Sequence, residues 1–229
     1  MMGKKLLVTI DGPGGAGKST VSKALAAKLD YLYLDTGAYY RAYAYQAKQN
    51  GILPENDEQL AQIGRSIKIH TENRGGIFLV FVDGEDVTEK IRTEEISILA
   101  SIISARPCVR QALLEIQRKV GSPGGIVAEG RDMGTVVFPE ADFKFYLDAT
   151  TSERAQRRYQ ELFARNADAY GDYEKVASAL LLRDRQDRDR ETAPLKPAAD
   201  AYIIDSTNMT VQDVVDKMAG LILCHRLTK

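Results

Sequence analysis

The sequence predicts an α/β fold in which a five-stranded parallel sheet is flanked by helices. Short apolar segments alternate with longer amphipathic segments along most of the chain, which is the pattern of parallel strands joined by helical crossovers. A strand, a glycine-rich loop and a helix follow one another within the first 30 residues. Polar residues stand directly after three of the strands, at the sheet edge where open α/β folds bind ligands.

Composition limits the classes of protein to which the chain can belong. It has 229 residues, of which 44% are apolar and 28% charged, a mixture typical of one large globular domain or of a domain with insertions. The formal net charge of −1 predicts no global attraction to nucleic acid or to anionic membranes. No apolar run approaches transmembrane length, and the run near the amino terminus is too short for a signal peptide.

The cysteines and histidines give no sign of a metal site. Cys108 and Cys224 are far apart and in no C-x-x-C spacing, which argues against a disulfide framework and suits a reducing cytoplasm. The two histidines, His70 and His225, have no obvious partner in sequence, and we expect both to be structural or at the surface. We therefore expect a cytoplasmic protein without nucleic-acid or membrane partners.

The first strand, residues 4–10, leads into the stretch IDGPGGAGKSTV at Ile10–Val21. Gly12, Gly17, Lys18 and Ser19 fit the G-x-x-x-x-G-K-[ST] pattern of a P-loop. Glycines let the backbone approach a polyphosphate and turn its N–H groups inward, and the first helical turn adds unpaired donors. Lys18 is expected to reach the terminal phosphates of ATP and the Ser19 hydroxyl to hold Mg²⁺. The candidate nucleotide-binding residues are Gly12, Pro13, Gly14, Gly15, Ala16, Gly17, Lys18, Ser19 and Thr20.

The second predicted strand, Tyr31–Asp35, ends in Asp-Thr-Gly. Polar groups at that position can bind a ligand at the sheet edge, or Asp35 or Thr36 can cap a helix over Ala38–Asn50. Both can hold together. Arg41 lies one helical turn into that helix, where it is either a phosphate clamp or a solvated surface charge.

A change of period marks a small antiparallel unit. Ile67–His70 and part of Phe78–Val82 alternate apolar and polar residues on either side of Arg74-Gly75-Gly76. Asp83-Gly84 is a turn signal, and Val87 can add a third short strand. A hairpin inside a chain of parallel crossovers is an insertion. This insertion either covers a substrate or has no role in binding.

The spacing of apolar residues also predicts three helices and a buried strand. Helices are predicted over Gln59–Ser66, Glu94–Ala105 and Val109–Val120. Pro107 ends the second of these helices and can also start the third. Ile126–Ala128 is a brief buried-type strand, and the charged run Glu129–Asp132 comes directly after it. That run is either an ion pair on a turn or part of a binding edge.

The last two strands are predicted at Phe143–Leu147 and Ala198–Asp205, and a final helix begins at Thr210 with Asp213 as its capping partner. Between these strands, Thr151–Arg190 holds eight arginines and one lysine. Two helices, about 152–166 and 173–188, flank a loop that contains Gly171. Arginine's planar fork suits phosphate contacts and the segment can close as a lid, but i,i+4 pairs of arginine and aspartate also describe a plain solvated face.

These motifs together resemble the bacterial cytidylate (CMP) kinases, and the resemblance spans almost the whole chain. The stretches that carry it are Gly12–Thr20, DTGAYYR at 35–41, GRDMGTVVFP at 130–139, and Arg183, Asp187 and Arg190 followed by Ala193-Pro194-Leu195. The resemblance implies a P-loop NTPase fold with a helical lid and an antiparallel insertion that binds the nucleoside monophosphate. It divides the chain into core segments at 1–60, 96–150 and 191–229, the insertion at 61–95, and the lid with its flanking helices at 151–190.

The resemblance also implies the roles of individual residues. The substrate CMP would be bound by Asp35, Thr36, Tyr40, Arg41, Ser101, Arg110, Arg131, Asp132 and Asp187. Within that set, Ser101, Arg110 and Asp132 would read the cytosine edge, and Asp187 would hold the ribose hydroxyls. The residues expected to take part in catalysis are Lys18, Arg131, Asp132, Arg183, Asp187 and Arg190, and Ser19 is the expected metal ligand.

The function that follows is transfer of the γ-phosphoryl group of ATP to CMP or dCMP, with ATP and Mg²⁺ as cofactors, by an enzyme that the resemblance predicts to be a monomer. A P-loop kinase acting on a sugar, on shikimate or on another nucleotide is the nearest alternative. A nucleotide-gated binding module that hydrolyses ATP to regulate a partner is the alternative from another class.

Overall fold

The computed structural model describes residues 5–74, 77–165 and 172–227. Gly75 and Gly76, between the two segments of alternating residues, and the lid loop with Gly171 lie outside the described residues, as does the His225 side chain. The chain forms two compact units, one of Met1–Leu32 with Gly124–Lys229 and one of Tyr33–Pro123. In the part of the chain that the structure describes, no helix has both the length and the apolar character needed to span a bilayer.

The elements alternate as the sequence predicts. The strands are β1 Leu7–Asp11, β2 Leu32–Asp35, β3 Ile69–Arg74, β4 Ile77–Val82, β5 Glu85–Asp86, β6 Ile126–Gly130, β7 Phe143–Asp148 and β8 Tyr202–Asp205. The helices are α1 Lys18–Leu29, α2 Thr36–Gln49, α3 Asp57–Ser66, α4 Glu94–Ile103, α5 Pro107–Gly121, α6 Thr151–Arg165, α7 Tyr173–Asp189 and α8 Val211–Leu227. A 3₁₀ turn at Lys90–Arg92 and a π-helical turn at Met133–Val137 complete the order.

The five-stranded parallel sheet is confirmed, with the strand order β2-β6-β1-β7-β8. Strand β1 pairs in parallel with β6 on one side and β7 on the other. Its Val8 and Ile10 are fully buried, because a central strand of such a sheet is covered on both faces. Asp11, the last residue of β1, lies opposite Gly130 and Tyr146, so the P-loop and the segment after β6 start from the same sheet edge.

Helices of the first unit pack on one another as well as on the sheet. Helix α1 contacts α8, and α6 contacts α7. The predicted capping pair of α8 is confirmed: Thr210 donates its N–H and its hydroxyl to Asp213 Oδ2 at 3.0 and 2.6 Å, and the Asp213 N–H donates to Thr210 Oγ1 at 3.2 Å. Such a reciprocal pair satisfies donors that a helix start leaves open.

The second unit contains the antiparallel sheet, of order β3-β4-β5. Phe78, Val80 and Val82 of β4 are buried, as their alternation predicts. The Asp83-Gly84 turn is confirmed, and both residues have positive φ, as a tight hairpin turn requires. The third strand ends one residue before the predicted position: it is Glu85–Asp86, and Val87 follows it as a fully buried core residue.

The starts of helices α2 and α5 have local explanations. Helix α2 begins at Thr36 rather than Ala38, because the Asp35 side chain accepts the Ala38 N–H at 3.0 Å and acts as the N-cap. Helix α5 begins at Pro107, which the sequence offers as a start for this helix, since proline fits the first helical position. The π-helical turn at Met133–Val137 has no counterpart in the sequence prediction.

Candidate active site

The P-loop joins β1 to α1 through a backbone conformation that residues with a side chain adopt poorly. Gly15 and Gly17 have φ of 72° and 88°, in the left-handed region that glycine tolerates. A Cβ on Gly12 would stand 2.0 Å from the Leu147 carbonyl oxygen, and one on Gly15 would stand 2.4 Å from that of Arg154. Close backbone approach therefore requires glycine at positions 12 and 15, and the positive φ favours glycine at position 17. Ser19 and Thr20 are exposed on the first turn of α1.

Lys18 begins helix α1 and is 7% exposed. Its Nζ donates to the Pro13 carbonyl oxygen at 2.7 Å. Burial lowers the pKa of the Lys18 ammonium to about 7, helped by the Arg131 and Arg183 charges and opposed by Glu129 and Asp187. An ammonium held this way gains charge stabilisation when an anion enters the loop.

The Gly14 peptide is held on both sides by one buried ion pair. Asp184 Oδ1 accepts the Gly14 N–H at 3.0 Å, and Arg154 Nη1 donates to the Gly14 carbonyl oxygen at 2.9 Å. Arg154 also donates to Asp184 Oδ2. Both side chains are 4% exposed. We call this pair the Gly14 clamp.

Asp11 connects the P-loop strand to the segment after β6. Its carboxylate accepts the N–H groups of Met133 and Gly134, each at 2.8 Å, and these are the first residues of the π-helical turn. Burial raises the pKa of Asp11 to about 6, although the two N–H donors and Lys18 act in the opposite direction. Asp11 thus fixes the backbone directly after Asp132.

The arginines expected near phosphates gather around one carboxylate. Arg131 Nε donates to Asp187 Oδ2 at 2.8 Å. Arg190 stands 3.7 Å from both Asp187 and Asp132. Although burial opposes it, the charges of Arg131, Arg183 and Arg190 hold the pKa of Asp187 below its usual range. Three guanidinium groups therefore act on one carboxylate, and the planar N–H donors of guanidinium groups suit the oxygens of a phosphate.

In the second unit, the predicted site residues Arg41 and Arg110 contact other residues of that unit. Arg41 donates to Asp35 at 2.8 Å, and Thr36 beside them is buried. Arg110 is buried, lies 5.6 Å from the centre of the Tyr40 ring and donates to the Ser104 carbonyl oxygen at 3.2 Å.

Ser101 on α4 has a buried hydroxyl oxygen that has no hydrogen-bond partner among the residues that the structure describes. A buried hydroxyl in that state is unusual in native proteins, and a ligand group can supply the missing partner.

Sequence reasoning missed three residues that organise the P-loop, namely Asp11, Arg154 and Asp184. Asp184 was expected only as an i,i+4 partner of Arg188, but its carboxylate pairs with Arg154 and with the Gly14 N–H. Asp187 likewise pairs with Arg131 across 56 residues. The signal for Asp11 was its place between a buried strand and the first glycine of the P-loop.

The parallel sheet and the glycine-rich loop between β1 and α1 define the fold class, which is the P-loop NTPase fold. The fold is shared with a gluconokinase from Sinorhizobium meliloti 1021, at a TM-score of 0.50 and 14% identity over 98% of this chain and 97% of that one.

The sequence comparisons define the family. The family model described as "Cytidylate kinase" matches residues 8–223, and the chain belongs to that family. It is 50% identical over 217 residues to a cytidylate kinase of Citrifermentans bemidjiense, covering 95% of this chain and 92% of the relative. It is 40% identical over 222 residues to a cytidylate kinase of Bacillus anthracis, covering 97% and 98%.

Proposed function

We propose that this enzyme transfers the γ-phosphoryl group of ATP to CMP or dCMP, giving ADP and CDP or dCDP. The observation that carries the proposal is the buried Lys18 of a P-loop beside clustered arginines, in a chain of the cytidylate kinase family. A P-loop binds the donor phosphates, and the family identifies the acceptor.

On the donor side, the backbone of Gly12–Thr20 binds the ATP phosphates and Lys18 reaches the terminal ones. The exposed Ser19 hydroxyl lies on the first turn of α1, next to that loop. Its oxygen fits Mg²⁺, which prefers oxygen ligands and usually shares them with phosphates and water. When bound, Mg²⁺ neutralises phosphate charge.

On the acceptor side, Arg131, Arg183 and Arg190 bind phosphate and Asp187 holds the ribose hydroxyls. Ser101, Arg110 and Asp132 read the cytosine, while Asp35, Thr36, Tyr40 and Arg41 bind the sugar and phosphate. The buried Asp132 carboxylate supports this assignment, as does the Ser101 hydroxyl, which has no partner in the described part of the chain. Cytosine carries an exocyclic amine, and a carboxylate accepts its hydrogen bond.

The reaction needs positioning and charge stabilisation rather than a general base. The CMP phosphate is already anionic at neutral pH, so it can attack the γ-phosphorus directly. Lys18 and the arginines of the lid segment, residues 151–190, stabilise charge on the migrating phosphoryl group. Closure of that segment excludes water, which would otherwise accept the phosphoryl group. Residues 61–95 serve as the monophosphate-binding insertion, and 1–60, 96–150 and 191–229 as the core.

The test is ADP release from Mg·ATP in the presence of CMP, dCMP, UMP, AMP, GMP, shikimate or gluconate. We expect fast turnover with CMP and dCMP and much slower turnover with the others. Faster turnover with shikimate or gluconate would contradict the proposal. Slow ATP hydrolysis without any acceptor dependence would instead favour a nucleotide-gated module.

The assignment of Asp132 has its own test. An Asp132→Ala enzyme should lose preference for CMP over UMP, because the amine of cytosine then has no acceptor. An unchanged ratio of kcat/KM for the two substrates would remove Asp132 from cytosine recognition. The monomeric state and the cytoplasmic location stay predictions from the sequence.

A further inference from the structure

We propose that Arg154 and Asp184, the Gly14 clamp, are positioning residues that orient the Pro13–Gly14 peptide of the P-loop and, through its carbonyl, Lys18. The inference rests on the proposed function, in which Lys18 binds the ATP phosphates. Neither residue belongs to the P-loop motif or to the arginine cluster around Asp187. Their role is to set the geometry of the loop before ATP arrives.

Asp184 and Arg154 hold both the N–H and the carbonyl of Gly14. Asp184 uses both carboxylate oxygens, one for the Gly14 N–H at 3.0 Å and one for Arg154. Arg154 closes the triangle by donating to the Gly14 carbonyl oxygen at 2.9 Å. Because the donor and the acceptor of one residue are both held, the two peptide planes that meet at Gly14 have little freedom to rotate.

The second step leads from that peptide to Lys18. The Gly14 N–H and the Pro13 C=O belong to the same planar peptide unit. An acceptor that fixes the direction of the N–H therefore also fixes the direction of the carbonyl. The Pro13 carbonyl oxygen accepts Lys18 Nζ at 2.7 Å, so Asp184 determines where the ammonium rests until phosphate oxygens replace that carbonyl as its acceptor.

The third step is that two helices supply the clamp. Arg154 comes from α6, where its Nε also donates to the Ala149 carbonyl oxygen at 3.1 Å. Asp184 comes from α7, and Leu180, one turn earlier, approaches so closely that a Cβ on Gly14 would stand 2.6 Å from its Cδ1. The orientation of the P-loop peptide is thus tied to the packing of α6 on α7.

A purely structural role predicts a different outcome, which makes the proposal testable. Replacing a buried ion pair by apolar residues of similar volume is often neutral or stabilising for folding. The Arg154→Met/Asp184→Leu double variant removes both charges together and so leaves no uncompensated buried charge. Its Gly14 N–H and carbonyl lose the partners they have in the parent, and denaturant unfolding measures the stability cost of that loss apart from the effect on Mg·ATP binding.

The experiment measures KM for ATP, KM for CMP, kcat, and the dissociation constant of Mg·ATP by calorimetry, together with unfolding by denaturant. The variants are Asp184→Ala, Asp184→Asn and the apolar double variant. The matched control carries the same substitutions on an exposed pair of α7, Arg185→Met/Asp189→Leu, whose side chains lie 3.3 Å apart.

We expect Asp184→Ala and the double variant to weaken Mg·ATP binding and raise KM for ATP at least about tenfold, the scale of a charge-assisted hydrogen bond. The KM for CMP should change less than about twofold, because only the donor loop is affected. Asp184→Asn should lie between, since an amide has one acceptor oxygen where the carboxylate uses two. The control should match the parent.

A folded double variant that binds Mg·ATP like the parent would overturn the proposal. So would equal rises in the KM values for ATP and CMP, which indicate general loosening. If the parent binds Mg·ATP but does not phosphorylate CMP, the proposed function fails while the calorimetric comparison still decides the role of the clamp.

Discussion

Helix α7 places aspartates on two faces whose surroundings differ. On the buried face, Asp184 and Asp187 pair with Arg154 and Arg131, which come from other elements of the first unit. On the exposed face, Asp189 pairs with Arg185 of the same helix, and their side chains are 67% and 81% exposed. The residue types are the same, but only in the buried set are the charges removed from water.

That difference determines what each pair can do. An exposed pair gains little Coulomb energy in water and contributes about 0.2–1 kcal/mol. In a buried pair, removal of one partner leaves an uncompensated charge and costs about 3–5 kcal/mol. Buried charges are therefore kept in place by their partners, which is what a site that binds phosphates requires.

The largest expected effect concerns Lys18, a buried charge with a chemical role. Lys18→Ala should lower kcat about 10³-fold, the upper range for loss of one preorganised transition-state donor, and leave the fold intact. Lys28→Ala is the control, because Lys28 lies on the same helix and pairs with Asp216 in solvent. Turnover measured by ADP release should be unchanged there, and near-normal turnover of Lys18→Ala would contradict the mechanism.

The second prediction concerns the stability of a broken buried pair. Arg131→Met leaves Asp187 without its 2.8 Å partner and should lower the free energy of unfolding by about 3 kcal/mol, toward the lower end because Arg190 stays nearby. Removing Arg131 should also raise the pKa of Asp187. Denaturant unfolding measures the loss, and a change below about 0.5 kcal/mol would place this pair with the exposed ones.

The third prediction uses the buried Asp11, whose pKa is raised from 3.8 to about 6. A raised folded-state pKa means that the contribution of Asp11 to stability is fully present below about pH 4 and is lost as pH rises through about 6. The stability of the parent relative to Asp11→Asn should therefore fall between these values, by at most about 1.4 kcal/mol per pH unit.

The control for Asp11 is a carboxylate whose pKa is lowered rather than raised. The Thr210 hydroxyl and N–H hold the pKa of the exposed Asp213 below its usual value. The stability of the parent relative to Asp213→Asn should therefore rise with pH over the acid range. If both variants show the same sign in unfolding measured from pH 2 to 7, with Asp213 responding below about pH 4 and Asp11 between about 4 and 6, the burial argument for Asp11 is wrong.

Local patterns in the sequence predicted the sheet, the P-loop and the hairpin, because strand periodicity, glycine spacing and turn residues act within a few positions. They could not predict which acid of Arg183–Arg190 pairs with which arginine, since the partners Arg154 and Arg131 are distant in sequence. The π-helical turn at Met133–Val137 was missed for the same reason: its first N–H groups are held by Asp11, more than 120 residues earlier.

The smallest expected effect is on the exposed face of α7. Arg185→Ala should change the free energy of unfolding by less than about 0.5 kcal/mol, because both charges of its pair stay hydrated. Turnover with CMP should stay within about twofold of the parent, since Arg185 contacts neither the P-loop nor the Asp187 cluster in the described part of the chain. Raising the salt concentration should remove the small stability difference, as screening acts on exposed pairs. A loss comparable to that of Arg131→Met would mean that helix position, rather than burial, determines the contribution of these pairs.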